Sequence, residues 1–264
     1  MKDPLGRPPA LLLVPACLAT LLLAVPLVSL VGRTPWDQLL GQLGSPAVQR
    51  ALWLSVLTAT AAMLVCLVLG LPLAWVLARL EFRGRTALRA IVTVPLVLPP
   101  VVAGVALLAA FGRTGFIGGP LRDLTGYTIP FTTTAVVIAH TFVALPFFVI
   151  SVEGALRSTD KAYDAAAASL GATRWTIFRR VTLPMTLPGI AAGMVLGWAR
   201  SLGEFGATIT FAGNFPGTTQ TMPLLVYTEL QRDAGTAQVL SLIMLVISIV
   251  ILVALRDRWL GTPA

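Results

Sequence analysis

The chain has 264 residues, of which 56% are hydrophobic and only 11% are charged. Soluble globular domains carry about a quarter charged residues, so this composition excludes a soluble protein and predicts an integral membrane protein. Its apolar runs are continuous and long enough for transmembrane helices, and they lack the alternation of barrel strands. The net charge of +8 therefore indicates membrane orientation more than nucleic-acid binding.

Six apolar runs predict an all-α membrane protein with six transmembrane helices in a single domain, residues 1–264. The first run follows Lys2 and Arg7, as in a signal peptide, but it is longer than a signal-peptide core and lacks a clear cleavage site. We therefore interpret it as an uncleaved span. In chain order the predicted spans cover about 10–31, 52–78, 88–111, 131–152, 187–212 and 236–255.

Cysteine and histidine suggest neither a disulfide framework nor a metal site. Cys17 and Cys66 both lie inside apolar runs, without metal-ligand spacing. His140 is the only histidine and lies in a predicted span, where we expect a packing or hydrogen-bonding role.

The Lys and Arg side chains predict the orientation in the membrane. With the N-terminus in the cytoplasm, thirteen of them fall on the cytoplasmic side and five on the opposite side. The positive-inside rule then places both termini of this multi-pass protein in the cytoplasm. The loop of about 154–186, between the fourth and fifth spans, falls on the same side.

This loop is polar and basic, and it contains two predicted helices. Ser158 or Thr159 is the expected N-cap of a first, Ala-rich helix that begins near Asp160, and Gly171 is its expected C-terminal stop. Thr173 is expected to cap a second helix with an apolar face. That face consists of Trp175, Ile177, Phe178 and Val181.

Pro184 and Pro188 are expected to break the chain before the fifth span begins. The residues alone leave two interpretations of the second helix open. It binds in a cleft of a partner protein, or it lies on the membrane surface as an amphipathic helix.

The fifth span carries two charges, Arg200 and Glu204, four residues apart. Burying either charge alone in lipid costs several kcal/mol, so we expect them to pair on one helix face. The pair offers a positive potential to a passing anion, or it is a structural ion pair that holds helices together. A track of small residues on the same helix predicts close packing in a central position, along a pathway or a dimer seam. The track is Gly189, Gly193, Gly197 and Ser201.

The third span contains Pro95, Pro99 and Pro100, followed by Gly104. Prolines free backbone carbonyls and bend a helix, which predicts a gate, a cavity wall or a simple kink. After the fifth span, the segment 211–223 is rich in turn formers and uncharged donors and includes Asn214. We expect it at the outer face, where it suits either a dehydrated oxyanion or an ordinary loop.

Three segments together resemble the molybdate/tungstate permease subunits of ABC importers. They are the proline-rich run Pro95–Gly104, the loop with Asp164-Ala165-Ala166 through Gly171 to Val181-Thr182-Leu183-Pro184, and the run from Arg200 through Leu202-Gly203-Glu204-Phe205-Gly206 and Asn214 to Pro223. The resemblance covers roughly 50–255. In one respect the chain departs from the family: the usual glutamate six residues before the glycine is Ala165 here, and Asp164 supplies the acid one position earlier.

The resemblance implies a type I importer fold in the cytoplasmic membrane, with a coupling helix between spans four and five. It implies a homodimer of permease subunits, a cytoplasmic ABC ATPase dimer and an extracytoplasmic oxyanion-binding protein as partners. Lys2 and Lys161 are the only lysines and neither stands in a P-loop, so ATP hydrolysis is expected from the partner, and no cofactor or metal is expected.

The resemblance also assigns roles to individual residues. The residues expected to couple the chain to the ATPase are Asp164, Ala165, Ala166, Gly171, Val181, Leu183 and Pro184. The residues expected in a translocation pathway or gate are Pro99, Pro100, Gly104, Arg200, Glu204 and Asn214.

Three other functions remain open at this point. A sulfate/thiosulfate permease is the nearest, because sulfate is also a tetrahedral dianion. A secondary transporter would need unpaired intramembrane titratable groups and usually inverted repeats, a poor match to Arg200, Glu204 and His140. The third possibility is a membrane scaffold without transport activity. The bent third span and the charge pair argue only mildly against it.

Overall fold

The computed structural model describes the backbone of residues 10–259 and the side chains of residues 11–250 except Lys161. Lys2 and Arg7, which contribute to the predicted orientation, lie outside the described residues. Within the described part, the regular elements are all helical. The predicted all-α class is therefore confirmed.

The helices are named here in chain order. A 3₁₀ turn at Trp36–Gln38 and a π-helical turn at Phe178–Thr182 accompany them. The α-helices are α1 Ala10–Arg33, α2 Leu39–Gly44, α3 Pro46–Arg79, α4 Arg85–Val97, α5 Pro100–Phe111, α6 Gly118–Thr125, α7 Thr133–Ser158, α8 Lys161–Ser169, α9 Arg174–Ile177, α10 Leu183–Leu202, α11 Gly206–Phe211, α12 Met222–Leu230 and α13 Ala234–Trp259.

Four helical segments of the described residues are long and apolar enough to cross a membrane. Shorter apolar helices occur at Pro100–Phe111 and Ala234–Val250. The predicted number of six spans and their exact limits stay predictions. The four long segments are Leu11–Arg33, Pro46–Arg79, Thr133–Ser158 and Arg174–Leu202.

Two predicted spans are interrupted. The third span is divided into α4 and α5, because Leu98 has extended backbone angles in front of Pro99, and Pro100 starts a new helix. Proline disfavours the helical conformation of the preceding residue, so consecutive prolines end the helix and do more than bend it. The fifth span is divided between Leu202 and Gly206, where α10 ends and α11 begins.

The expected break at Pro184 and Pro188 is wrong. The chain runs from α9 through the π-helical turn into α10, and Pro184 occupies the first turn of α10. Proline is tolerated there because its missing N–H is not needed, and the wider π-helical turn accommodates the change of register. Within the loop of about 154–186, the predicted coupling loop, α9 therefore runs directly into α10, and the two form one continuous helical segment, Arg174–Leu202.

The expected N-cap of α8 is also wrong. The side chain of Asp160 caps this helix, and its Oδ1 accepts a hydrogen bond from the backbone N–H of Ala162 at 2.9 Å. The hydroxyls of Ser158 and Thr159 instead donate to the carbonyl of Ala155 at the end of α7. An acid one residue closer to the helix satisfies its N–H groups better. The two other expected caps, Thr173 for α9 and Gly171 at the end of α8, are confirmed.

The centre of the fold is the close contact among α3, α7 and α10. The small-residue track on α10 faces α7, where Gly193 lies against Phe148 and Ser151. Gly197 lies against Met63 of α3 and the Ala144 carbonyl of α7. Small residues let helices approach closely in a membrane, where packing replaces hydrophobic burial. The predicted close packing is confirmed, and the helix it contacts belongs to the same chain.

Two further layers surround this centre. In one, α11 packs between α5 and α7, with Ala103, Leu107 and Phe211 buried. In the other, α12 packs on α3 and α13 packs on α12, around Met222 and Leu240. The helix α1 lies at the periphery and contacts α13. The layer of α5 and α11 therefore stands beside the interrupted end of α10.

Candidate functional site

Glu204 occupies the gap between α10 and α11. Its side chain is 1% exposed, and its Oε2 lies 2.7 Å from Nη1 of Arg200. Its Oε1 accepts a hydrogen bond from the backbone N–H of Ala207, in the first turn of α11, at 2.9 Å. The predicted ion pair is confirmed, but Glu204 lies beyond the end of α10 and not on its helical face. One carboxylate therefore joins the end of one helix to the start of the next.

Arg200 is the less buried member of this pair, with 32% of its side chain exposed. Its neighbours Ala199 and Gly203 are small and exposed on the same helix end. A charged group facing lipid at this depth is costly, so such groups face a protein interior or a water-filled cavity. The outer side of α10 near Arg200 is therefore an unsuitable surface for lipid.

The proline-rich helix α5 lies directly against α11. A Cβ placed on Gly206 would be 2.5 Å from Cβ of Pro100, and one on Gly104 would be 2.5 Å from Cβ of Thr210. Both glycines are therefore required by the close approach of the two helices. The structure thus brings Pro100 and Gly104 against the helix that Glu204 caps, and Pro99 precedes them as the N-cap of α5.

Asn214 has a different environment. Its Nδ2 donates to Oγ1 of Thr228 on α12 at 2.9 Å. In the same turn, the hydroxyl of Thr219 accepts from the backbone N–H of Phe215 at 2.9 Å. Asn214 therefore fixes the loop between α11 and α12 and does not join the cluster around Glu204.

Further buried polar groups lie on the helices that meet at the gap, and the sequence analysis did not single them out as a group. His140 of α7 is 1% exposed, and its carbonyl accepts from the hydroxyl of Ser201 at 3.5 Å. Neither ring nitrogen of His140 has a hydrogen-bond partner among the described residues. Thr208 of α11 is fully buried. The expected packing role of His140 agrees with this burial, and no ring hydrogen bond is formed within the described part of the chain.

In the coupling loop, Asp164 points inward. Its Oδ1 accepts from the hydroxyl of Thr182 at 3.0 Å, and its Oδ2 lies 3.4 Å from Nη2 of Arg79. Ala165 and Ala166 are exposed on the same helix. The remaining predicted coupling residues are exposed at Gly171 and Pro184 and half-buried at Val181 and Leu183.

The outer surface of this loop carries large apolar side chains. Tyr163 is 57% exposed, Leu170 is 89% exposed and Trp175 is 68% exposed. The ring of Trp175 stacks on Phe178 with ring centroids 5.6 Å apart, so its position is fixed. Exposed large apolar side chains of this kind are typical of an interaction surface.

Glu153 was missed by the sequence analysis, which ended the fourth span at residue 152. Its buried carboxylate pairs with Arg89 of α4, and its Oε1 lies 2.8 Å from Nη2 of Arg157. The four-residue spacing from Glu153 to Arg157 is the signal that could have indicated it. The partner on α4 is a long-range contact that no local pattern predicts.

A bundle of long apolar helices with a buried ion pair at a helix interruption is typical of a multi-pass membrane protein. The chain belongs to the family of the binding-protein-dependent transport system inner membrane component, whose model matches residues 70–261. It is thus the permease component of a transport system and not its enzyme.

Curated relatives support this membership over most of the chain. The Molybdenum transport system permease protein ModB of Mycobacterium tuberculosis is 47% identical over 244 residues, which is 92% of this chain and 92% of the relative. ModB of Escherichia coli is 43% identical over 212 residues, covering 80% and 93%. The Sulfate transport system permease protein CysT of Escherichia coli is 35% identical over 241 residues, covering 91% and 87%.

A solved structure has the same fold. The bacterial alginate ABC transporter in complex with an alginate pentasaccharide-bound periplasmic protein matches with a TM-score of 0.75, covering 97% of this chain and 95% of that chain. The sequence identity is 19%, so this likeness concerns the fold alone. The predicted type I importer permease fold is confirmed.

The ion pair of Glu204 with Arg200 and its hydrogen bond with the N–H of Ala207 can be tested separately. Glu204→Gln keeps an oxygen for the N–H of Ala207 but removes the charge that balances Arg200. Glu204→Leu removes both. We expect the free energy of unfolding to fall by about 1–3 kcal/mol for the glutamine variant, since Arg200 is partly solvated, and by more for the leucine variant. Thermal unfolding of the detergent-solubilised protein measures both.

The control is Glu229→Gln, because Glu229 pairs with Arg232 at an exposed site where an ion pair contributes little. Equal stability of the Glu204→Leu and Glu204→Gln variants would show that the bond to Ala207 is unimportant.

Proposed function

We propose that this chain is the membrane permease of an ATP-driven importer for molybdate, with tungstate as its close analogue. The molybdenum permeases resemble the chain more closely than the sulfate permease does, and over comparable parts of its length. The observation that supports a translocation pathway for an anion is the partly exposed guanidinium of Arg200 at the interrupted end of α10. Molybdate is a tetrahedral dianion, and a cation on the protomer surface attracts it.

The permease acts as a homodimer in which the faces of α10 near Arg200 meet across the translocation path. Ala199 and Gly203 are exposed and small, which leaves room for a second helix or for the passing anion. A two-fold axis at this face sets two Arg200 side chains opposite each other, matching the two negative charges of the substrate. The same arrangement removes both guanidinium groups from lipid.

The ATPase dimer binds the coupling loop. The apolar patch of Tyr163, Leu170 and Trp175 is exposed, and the neighbouring Arg179 and Arg180 are exposed as well. A cleft in a soluble partner buries such a patch, and its acidic rim pairs with the arginines. Because α9 continues into α10, displacement of the loop moves the helix that carries Arg200. Because the proposed ATPase partner is cytoplasmic, the proposal puts the loop, and with it both termini, in the cytoplasm.

An extracytoplasmic binding protein delivers the anion to the opposite face. There, Phe131 and Phe215 form an exposed edge-to-face pair with ring centroids 5.9 Å apart. The hydroxyl of Thr133 donates to the carbonyl of Thr218 at 2.9 Å, which holds the two loops together. A rigid outer face of this kind presents a fixed surface to a delivering protein.

Uptake into vesicles tests the substrate and the energy source together. Vesicles containing the chain, its ATPase and its binding protein are expected to accumulate molybdate only with ATP, and excess sulfate is expected not to compete. Equal inhibition by sulfate would assign the chain to sulfate transport. Uptake without ATP but with a proton gradient would contradict the ABC mechanism.

Gly171→Asp is expected to uncouple ATP hydrolysis from uptake while membrane insertion stays normal. Gly171 has a φ of +82°, a conformation that side chains disfavour, so the substitution distorts the turn between α8 and α9. We expect uptake per ATP hydrolysed to fall on the order of tenfold. ATPase activity and uptake are measured in the same vesicles.

Gly84→Asp is the matched control, because Gly84 has a φ of +95° and open space around it, in the loop between α3 and α4. An equal loss in both variants would attribute the effect to general strain and would refute the coupling role of the loop.

Arg200→Ala is expected to lower the uptake rate on the order of tenfold or more while the protein still inserts and binds its ATPase. A second variant, Arg200→Gln with Glu204→Gln, removes both charges and keeps hydrogen-bonding groups at the gap. If it folds and assembles but does not take up molybdate, the positive charge serves the anion. Loss of assembly in Arg200→Ala with full uptake by the double variant would show that the pair is purely structural.

A further inference from the structure

The carboxylate of Asp164 connects three elements that are separate in sequence. Asp164 lies on α8, Thr182 closes the π-helical turn, and Arg79 is the last residue of α3. The Thr182 hydroxyl donates to Oδ1 at 3.0 Å, and Nη2 of Arg79 lies 3.4 Å from Oδ2. These contacts make Asp164 part of the interior of the loop and not of its outer surface.

Arg79 depends on this acid. Its side chain is 9% exposed, against 26% for Asp164. Among the described residues, Nε and Nη2 of Arg79 have no well-aligned hydrogen-bond acceptor, so the contact with Asp164 is an ion pair and not a formed hydrogen bond. A buried guanidinium that loses its counter-charge is strongly destabilised. The position of Arg79 is therefore linked to the position of α8.

The surroundings of the pair combine a rigid corner with free space. At the end of α3, Nη2 of Arg85 donates to the carbonyl of Leu77 at 2.6 Å, which fixes the turn into α4. The ring of Trp75 meets Phe178 edge to face at 6.3 Å. Beside them, a cavity of about 320 Å³ is lined by Arg79, Asp164 and Thr182 among other residues. The contact therefore lies beside an open pocket between the end of α3 and the loop.

We propose that Asp164 and Arg79 form an internal latch that transmits movement of the coupling loop to α3. This inference rests on the proposed function of the loop. The loop reaches α10 through the continuous helix α9–α10, whereas α3 is separated from it in sequence by α4 to α7 and meets it through side chains such as the Trp75–Phe178 pair. The latch adds a charged contact between the loop and the end of α3, so that α3 follows the loop when the ATPase displaces it. Arg79 is thus a positioning residue for transport.

The opposite possibility is that Asp164 contacts the ATPase directly. The surface of α8 next to it carries Ala165 and Ala166, which have no charge to offer. To reach a partner, Asp164 would leave both Arg79 and Thr182, and the buried arginine would lose its counter-charge. The geometry therefore favours the internal contact.

The test uses the complete transporter in vesicles with four variants: Asp164→Asn, Arg79→Gln, Thr182→Val and the charge-reversed pair Asp164→Arg with Arg79→Asp. For the two single charge variants we expect molybdate uptake per ATP hydrolysed to fall about fivefold or more, with co-purification of the ATPase unchanged. Thr182→Val is expected to give a smaller loss. The charge-reversed pair is expected to recover at least half of the wild-type ratio.

Asp160→Asn is the matched control, because Asp160 caps the same helix from outside the latch and asparagine is an equally good cap. Its molybdate uptake per ATP hydrolysed is expected to stay within about twofold of the wild-type value. If Asp164→Asn releases the ATPase while Arg79→Gln has no effect, Asp164 contacts the partner and the latch is refuted. Uptake per ATP hydrolysed in the charge-reversed pair as low as in the single charge variants, with no recovery, would refute it as well.

A thermal-unfolding cycle on the permease alone separates this inference from the proposed function. Asp164→Asn, Arg79→Gln and their double variant are expected to be non-additive, because the two residues interact. This readout needs neither molybdate nor ATP. Additive unfolding free energies, with normal uptake by the single variants, would overturn the latch and leave the proposed function standing. Non-additive unfolding, with no ATP-dependent molybdate uptake by the wild type, would confirm the contact between the two residues but overturn the proposed function and with it the transmitting role of the pair.

Discussion

The fold depends on the way one carboxylate closes a helix interruption. Inside a bilayer no water is available to backbone N–H and C=O groups, so every interruption needs partners from the protein. Glu204 gives α11 an acceptor for its first turn, and Arg200 balances the charge that this requires. The interruption, the acid and the arginine are therefore one unit, in which each part stabilises the other two.

This unit determines the packing on both sides. Because α10 ends at Leu202, α11 is free to turn onto α5, and the contacts of Gly206 with Pro100 and of Gly104 with Thr210 leave no room for side chains. On the other side, the small-residue track holds α10 against α7. The same α10 continues without interruption from the coupling loop. The proposed displacement of the loop therefore acts directly on the helix that ends beside Arg200 and Glu204.

The sequence predicted what depends on local chemistry and missed what depends on distant contacts. Long apolar runs, the glycine stop at Gly171 and the pairing of Arg200 with Glu204 all follow from spacing along one segment. The predicted break at Pro184 was wrong, because proline is tolerated in the first turn of a helix and the sequence did not show that α10 begins there. The inward direction of Asp164 depends on Arg79, which is remote in sequence. For the same reason, spacing alone did not decide whether the small-residue track faces α7 or a second copy.

The pairing of Arg200 also bears on selectivity. An unpaired guanidinium in a low-dielectric pathway would hold a dianion tightly and slow its release. With Glu204 at 2.7 Å, most of that attraction is already compensated, and a weaker positive potential remains for the passing anion. Under the proposed function, we expect such a site to conduct the anion without storing it and to respond to charge more than to the small difference in size between molybdate and sulfate. We therefore expect the proposed binding protein to discriminate between the two anions, and the permease to contribute the path.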